Sequence, residues 1–181
     1  MLKNNKRLQI GVVGSAGSND NGNATKQMSD LAKEVGRFLA EKNAIVISGG
    51  KDGIMEAVGK GVKSKNGLSV GIISGQRFSS NDFIDVEILS GAANRGLDEY
   101  LLVNMCDGLI VIGGGAGTLQ EIAITYRNNK PVVLLKNSGG WADKIKDQYL
   151  DQRNLVKILT AKTPVEAVDL LLNQVNHNTS S

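Results

Sequence analysis

One cysteine, one histidine and two prolines are all that the 181 residues contain. Cys106 has no second cysteine to pair with, and a four-ligand zinc site cannot be assembled from one Cys and one His. His177 lies in a polar stretch near the C-terminus, so Ser-His-Asp or Cys-His chemistry would require that stretch to fold back. Charge of one sign is also scarce. Lys and Arg number 21 against 18 Asp and Glu, a net +3 that suits an anionic small ligand but lacks the concentrated basic stripe of a nucleic-acid binder. No run reaches the ~18 apolar residues of a membrane span. The N-terminal MLKNNKR is basic, but the apolar stretch after it is short and interrupted by Gly11 and Gly14, unlike a signal peptide. With 41% hydrophobic and 22% charged residues, the composition is that of a globular, cytosolic protein and not of a disordered chain. Glycine is the excess. Its 22 positions are about 12% of the chain, against a usual ~7%, with no three-residue period and too little proline for collagen.

Apolar β-branched runs alternate with segments of helical period. Strands are expected at Leu8–Val13, Ala44–Ile47, Leu68–Ile73, Ile84–Leu89, Gly108–Ile112, Pro131–Leu135 and Val156–Leu159. Helices are expected over 26–42, across Ile54 to Val62, and at Asn94–Met105, Leu119–Arg127, Trp141–Leu150 and Pro164–Val175. Thr163-Pro164-Val165-Glu166 supplies an N-cap, a Pro at N1 and a Glu at N3 for the last helix. The organisation is a short flexible N-terminus over 1–7, one domain over 8–175 and a frayed polar tail over 176–181, with loss of order beginning near Gln174. Strands joined through helices imply right-handed crossovers, hence a single-domain α/β protein with a Rossmann-like, doubly wound parallel sheet. In such a sheet, ligands bind beyond the carboxyl ends of the strands. Gly14, Gly17, Gly49, Gly50, Gly75, the run Gly113 to Gly117, Gly139 and Gly140 all follow strands, which gathers them at one edge.

Five motifs lie at that edge. In Gly113-Gly114-Gly115-Ala116-Gly117-Thr118, four glycines in five residues exceed the needs of one turn, and their amides could surround a phosphate at a helix N-terminus. No Lys-Ser/Thr pair follows, so this is not a Walker A loop. Thr118-Leu119-Gln120-Glu121 has the form of a capping box, leaving Glu121 either as a cap or as a carboxylate on the groove floor. Ser48-Gly49-Gly50-Lys51-Asp52-Gly53 could hold a second anionic or hydroxyl group, or be a loop with glycine at positive φ. Arg95, after Asn94, could clamp a phosphate or sit solvated at a helix end. Gly11-Val12-Val13-Gly14-Ser15-Ala16-Gly17 only loosely matches a dinucleotide fingerprint, and Ser48 stands where a ribose-reading acid would end the second strand. A hydride-transferring dehydrogenase is therefore not indicated, although Ser15 and Gly17 could contact a ligand.

Taken together, these motifs resemble the LOG (Lonely Guy) superfamily of Rossmann-like proteins. Gly113 to Glu121 is similar to its P-G-G-x-G-T-x-x-E signature, Ser48-Gly49-Gly50 with Gly53-Ile54-Met55-Glu56-Ala57 to its second glycine-rich motif, and Arg95 falls where the family keeps an arginine. The resemblance covers roughly residues 8–172. One branch hydrolyses nucleoside 5′-monophosphates to base and ribose 5-phosphate, and by that resemblance Arg95 and Glu121 would be the catalytic pair. Gly113 in place of the signature's proline, and Gln120 in place of a glutamate, are closer to a second branch, the molybdenum cofactor carrier proteins. Cys106-Asp107-Gly108-Leu109-Ile110-Val111-Ile112-Gly113-Gly114 also resembles that branch.

The leading expectation is a carrier for a phosphate-bearing small molecule of the molybdopterin type. Contacts are expected from Ser15, Gly17, Ser48, Gly49, Gly50, Asn94, Arg95, Gly114, Gly115, Ala116, Gly117, Thr118 and Glu121, with no protein-ligated metal. The alternatives are a nucleoside monophosphate phosphoribohydrolase and a nucleotide-sensing module. Nucleic acid and membrane are not expected partners. The resemblance implies a homo-oligomer, a dimer or tetramer, and Leu97, Leu101 and Leu102 could face either a partner or the sheet.

Overall fold

The structure is a computed structural model that describes residues 6–17, 24–91, 96–145 and 147–178. In chain order it runs β1 (Gln9–Gly14), α1 (Lys26–Glu41), β2 (Ile45–Ser48), α2 (Ile54–Lys63), β3 (Leu68–Ile73), β4 (Val86–Leu89), α3 (Leu97–Met105) and β5 (Gly108–Ile112). It continues through α4 (Ala116–Arg127), β6 (Val132–Leu135), α5 (Gly140–Lys144), β7 (Leu159–Ala161) and α6 (Pro164–Asn178). The seven strands form one sheet in the order β4-β3-β2-β1-β5-β6-β7, every pair parallel. The first four strands wind outward from β1. The chain then crosses back to lay β5 on the other side of β1 and winds out again. This is the expected single-domain α/β, Rossmann-like sheet, and its topological switch lies between β1 and β5.

Parallel strands buried on both faces need apolar side chains pointing both ways. All of β5 is buried, with Ile110 and Ile112 facing one core and Leu109 and Val111 the other. The first core adds Val35 and Leu39 of α1, Val58 and Val62 of α2, and Val168 and Leu171 of α6. The second adds Leu102 and Val103 of α3, Ile122 of α4 and Ala142 of α5. The sheet is thus the middle of three layers. The α1–α2 contact is closer than side chains allow: a Cβ on Gly61 would lie 1.9 Å from the Lys33 carbonyl oxygen.

Several local expectations give way to tertiary bonding. The α5 helix ends at Lys144 and does not reach Leu150, because Lys136 Nζ draws off the carbonyls of Ala142, Asp143 and Ile145 at 2.9, 3.1 and 2.8 Å. The last strand is Leu159–Ala161 instead of Val156–Leu159, and Ile158 bridges antiparallel to Gln148. The α6 helix continues through Asn178, so the stretch from Gln174 to Asn178 is helical and not a frayed tail. Arg7, placed by sequence in a flexible terminus, is held at the sheet's edge by the carbonyls of Asn43 and Ala44 at 2.8 and 3.1 Å. On α3, Leu102 is buried against the sheet while Leu97 is 50% exposed. No helix among the described residues is long and apolar enough to cross a membrane.

Candidate functional site

Because every strand is parallel, the loops after β1, β2, β3, β5 and β6 emerge at one edge. They are bonded to each other there. Ser15 Oγ accepts the Gly114 amide at 3.0 Å, and Ser138 Oγ accepts the Gly113 amide at 2.8 Å. Trp141 and Ala142 donate their amides to the carbonyls of Gly114 and Gly113 at 3.0 and 3.1 Å. On the other side of β1, the Ile54 amide reaches the Ser15 carbonyl at 3.1 Å and Gly17 N donates to Asp52 Oδ1 at 3.1 Å. Ser15 and Ser138 are buried, so these bonds replace water that the turn amides could not otherwise reach.

The glycine run therefore splits into two parts. Gly113 and Gly114 stand at φ 66° and 101°, and a Cβ on Gly114 would meet the Thr118 side chain at 2.5 Å. Both amides are already used inside the protein. Gly115 is the N-cap of α4, at φ −101°, with open space where a Cβ would be. The helix starts at Ala116, three residues before the expected Leu119. Thr118 is consequently inside the first turn, and the expected Thr118–Glu121 capping box does not form. Thr118 instead lies 3.4 Å from the Gly14 carbonyl through its hydroxyl, which donates. The first intrahelical amide to find a carbonyl is that of Leu119, on Gly115, at 3.0 Å. The amides of Gly115, Ala116, Gly117 and Thr118 have no acceptor among the described residues. Four unused donors at the positive end of a 12-residue helix are a ready anion cradle.

They open on a cleft of about 450 Å³. Ser15 and Ala16 from the β1 loop, Gly49 and Lys51 from the β2 loop, and Ser74 after β3 line one side. Asp98 and Glu99 of α3, with Gly115, Gly117, Thr118 and Glu121 of α4, line the other. Val13, Met55, Ile72 and Leu102 supply apolar wall. Lys51 Nζ leans on Ser74 Oγ at 3.3 Å, placing a cation in the cleft. Glu121 is crowded by protein at the cleft floor. Burial, with a smaller contribution from the Glu99 carboxylate, pushes its carboxyl up to about 8.

Of the residues selected from sequence, Ser15, Gly49, Gly115, Gly117, Thr118 and Glu121 line this cleft. Gly114 stands behind it in the loop scaffold. Ser48 is buried and accepts the Gly50 amide at 3.2 Å, and Gly50 packs against Gly71 and Ile73, so both support the β2 loop from beneath. Gly17 is tied to Asp52. Asn94 and Arg95 lie outside the described residues. Lys51 stands in the sequence only as a member of the Ser48–Gly53 motif and not among the individual contacts expected, and Asp98, Glu99 and Ser138 carry no expectation at all. The adjacent Asp98-Glu99 pair reads simply as acids in a helix first turn, and nothing local marks Ser138 as the partner of Gly113. His177 is carried by α6 to the opposite edge, next to Asn176, which lines a separate hollow with Arg7 and Ala44. Cys106 is buried, with its thiol on the Leu102 carbonyl at 3.0 Å, and burial pushes its pKa up, which leaves it unreactive. Among the described residues, no group of three His, Cys, Asp or Glu is placed to hold a metal ion.

Known proteins share this architecture and part of the sequence. An uncharacterised protein of Archaeoglobus fulgidus is 39% identical over 131 residues, 72% of this chain and 82% of its own. The crystal structure of the protein TM1055 superposes with a TM-score of 0.84 at 34% identity, covering 92% of this chain and 99% of that one. A molybdenum cofactor binding protein from the phototrophic bacterium Rippkaea orientalis superposes with a TM-score of 0.79 at 27% identity, over 93% of this chain and 98% of its own. With residues 7–168 matching its family model, the chain belongs to the SLOG cluster4 family, within the LOG-like, Rossmann-like superfamily.

Proposed function

We propose that this protein binds and carries a small molecule through its phosphate group, and that molybdenum cofactor, or a compound of the same molybdopterin type, is that molecule. The carrying observation is the row of amides from Gly115 to Thr118, without an acceptor among the described residues and beside a nucleotide-sized cleft at the switch between β1 and β5. Lys51 adds a charge that attracts the anion, and the likeness to the Rippkaea orientalis protein supports the choice of cofactor. In this reading the chain works in the cytosol as a homo-oligomer. It protects and delivers its ligand without altering it.

A second reading is favoured by one observation. Glu121 lines the cleft, where burial and the neighbouring Glu99 push its carboxyl up to about 8, into the range suited to proton transfer. If Arg95 orients a ribose as the LOG resemblance implies, water adds to C1′, the C1′–N bond breaks and the leaving base takes up a proton, giving free base and ribose 5-phosphate. Incubation with AMP and modified adenosine monophosphates, followed by chromatography, separates the readings. The carrier reading expects no released base, together with protection of the cofactor against oxidation. Release of base that disappears in Glu121→Gln establishes the hydrolase instead.

A further inference from the structure

The α3 helix carries apolar side chains on both its sides. Leu102 and Val103 face the sheet, while Leu97 and Tyr100 stand 50% and 53% exposed on the side toward solvent. With Leu101 and Asn104 they form a stripe at spacing i, i+3, i+4 and i+7, the pattern by which one helix packs on another. None of the four is charged, whereas the outer side of α1 carries the ion pairs Lys26–Asp30 and Arg37–Glu41. The neighbouring α4 runs parallel to α3 and is bonded to it at both ends. Gln120 Nε2 donates to the Gly96 carbonyl and Asn128 Nδ2 to Asn104 Oδ1, each at 3.4 Å. Ile122 and Tyr126 of α4 are buried, which turns Ala123 and the partly buried Ile124 the other way. The result is an apolar face of two helices that nothing among the described residues covers.

The two ends of that face differ in charge. Asp98 and Glu99 mark the N-terminal end. Exposed Arg127 marks the C-terminal end, together with Lys130, whose Nζ donates to the carbonyls of Val103 and Asn104 at 2.8 and 3.0 Å. A surface that is acidic at one end, basic at the other and apolar between is complementary to itself turned end for end. A partner of one charge sign would meet like charge at one end. Resting on the homo-oligomer of the preceding reading, we infer that the outer face of α3 and α4 docks a second copy of this chain about a two-fold axis, with the helices of the two copies antiparallel. Leu97, Tyr100, Leu101 and Ile124 form the apolar centre of the contact, and Arg127 of each copy approaches the acidic end of the other. That end is also cleft wall, since Asp98 and Glu99 line it, so the pairing carries a second chain's cation to the mouth of each cleft.

Sedimentation equilibrium of the full chain over a concentration series tests this, with ribose 5-phosphate calorimetry on the same samples. The unaltered protein is expected at an even multiple of 19.2 kDa, and Leu97→Glu and Tyr100→Glu are each expected to halve that mass. Both positions are at least half exposed, so circular dichroism should show the fold kept in the variants. Arg127→Glu is expected to weaken self-association at least about tenfold at low salt and much less at high salt. An unaltered protein that stays at 19.2 kDa at every concentration overturns the inference, while ribose 5-phosphate binding by that monomer leaves the phosphate reading standing. An oligomer that both glutamate variants leave intact puts the contact on another face and also overturns it. No effect of Arg127→Glu at low salt overturns the end-for-end arrangement. An oligomer that both glutamate variants dissociate, but that binds no ribose 5-phosphate, upholds the interface and removes the phosphate reading.

Discussion

The Gly114 amide donates to Ser15 Oγ at 3.0 Å, joining two loops 99 positions apart in sequence. That bond spans the switch point, so the end of β1 and the loop after β5 form one rigid unit. The cradle at Gly115 inherits its position from it.

Removing the hydroxyl should therefore cost more than a surface serine would. Ser15→Ala leaves the Gly114 amide buried without a partner, at a cost of about 1–3 kcal/mol. Urea denaturation should show this as a lower midpoint with an unchanged slope. Ribose 5-phosphate affinity should fall as well, because the loop it grips is less fixed.

Gly114 and Gly115 are neighbours with opposite expected outcomes. Gly114→Ala forces a Cβ against Thr118 at a positive φ, so loss of folding stability is expected. At Gly115 an added Cβ has open space among the described residues and φ is −101°, so Gly115→Val should lower the melting temperature much less than Gly114→Ala, by about the cost of a poorer N-cap. Its side chain occupies the space in front of the amides, and calorimetry with ribose 5-phosphate should detect no binding. Unchanged affinity in Gly115→Val would place the anion elsewhere.

That pair also marks what the sequence could and could not reveal. The alternation of β-branched runs with helical periods was enough for the parallel sheet, and the parallel sheet was enough to gather the glycines at one edge. Distinguishing Gly114 from Gly115 was not possible, because the difference is whether Thr118 or open space lies beside the Cα. The start of α4 was misplaced for a related reason. Glycines at 115 and 117 read as loop, yet the helix includes Ala116 and Gly117 because Gly113 and Gly114 are pinned by Ser138 and Ser15. Asp98 and Glu99 carry no signal of their own until α3 is packed against the cleft.

In the phosphate-binding reading, Lys51 should act by charge and not by shape. It is exposed and rests on Ser74, so Lys51→Ala should weaken ribose 5-phosphate binding only about two- to fivefold, in line with an ion pair open to solvent. Titrations at low and high salt should converge, since screening removes the same attraction in the unaltered protein. A loss of a hundredfold or more would mean that Lys51 touches the anion directly.

Glu121 gives the protein a pH dependence opposite to that of a salt-bridged acid. Its carboxyl titrates near 8 in the folded chain, against an ordinary value of 4.5. Between those values the folded state holds a proton that the unfolded state has released, so stability falls as pH rises through that window. Below about 4.5 both states are protonated and the group has no effect; above about 8 the full penalty of a buried charge beside Glu99 applies. The penalty should be on the order of a few kcal/mol. Urea unfolding at pH 5 and pH 9 measures it: the unaltered protein should lose stability across the interval, and Glu121→Gln, which never ionises, should lose less. Glu121→Gln should also be the more stable of the two at pH 9. Equal slopes for the two proteins would show that Glu121 is ionised at neutral pH, and the hydrolytic reading would then lose its proton donor.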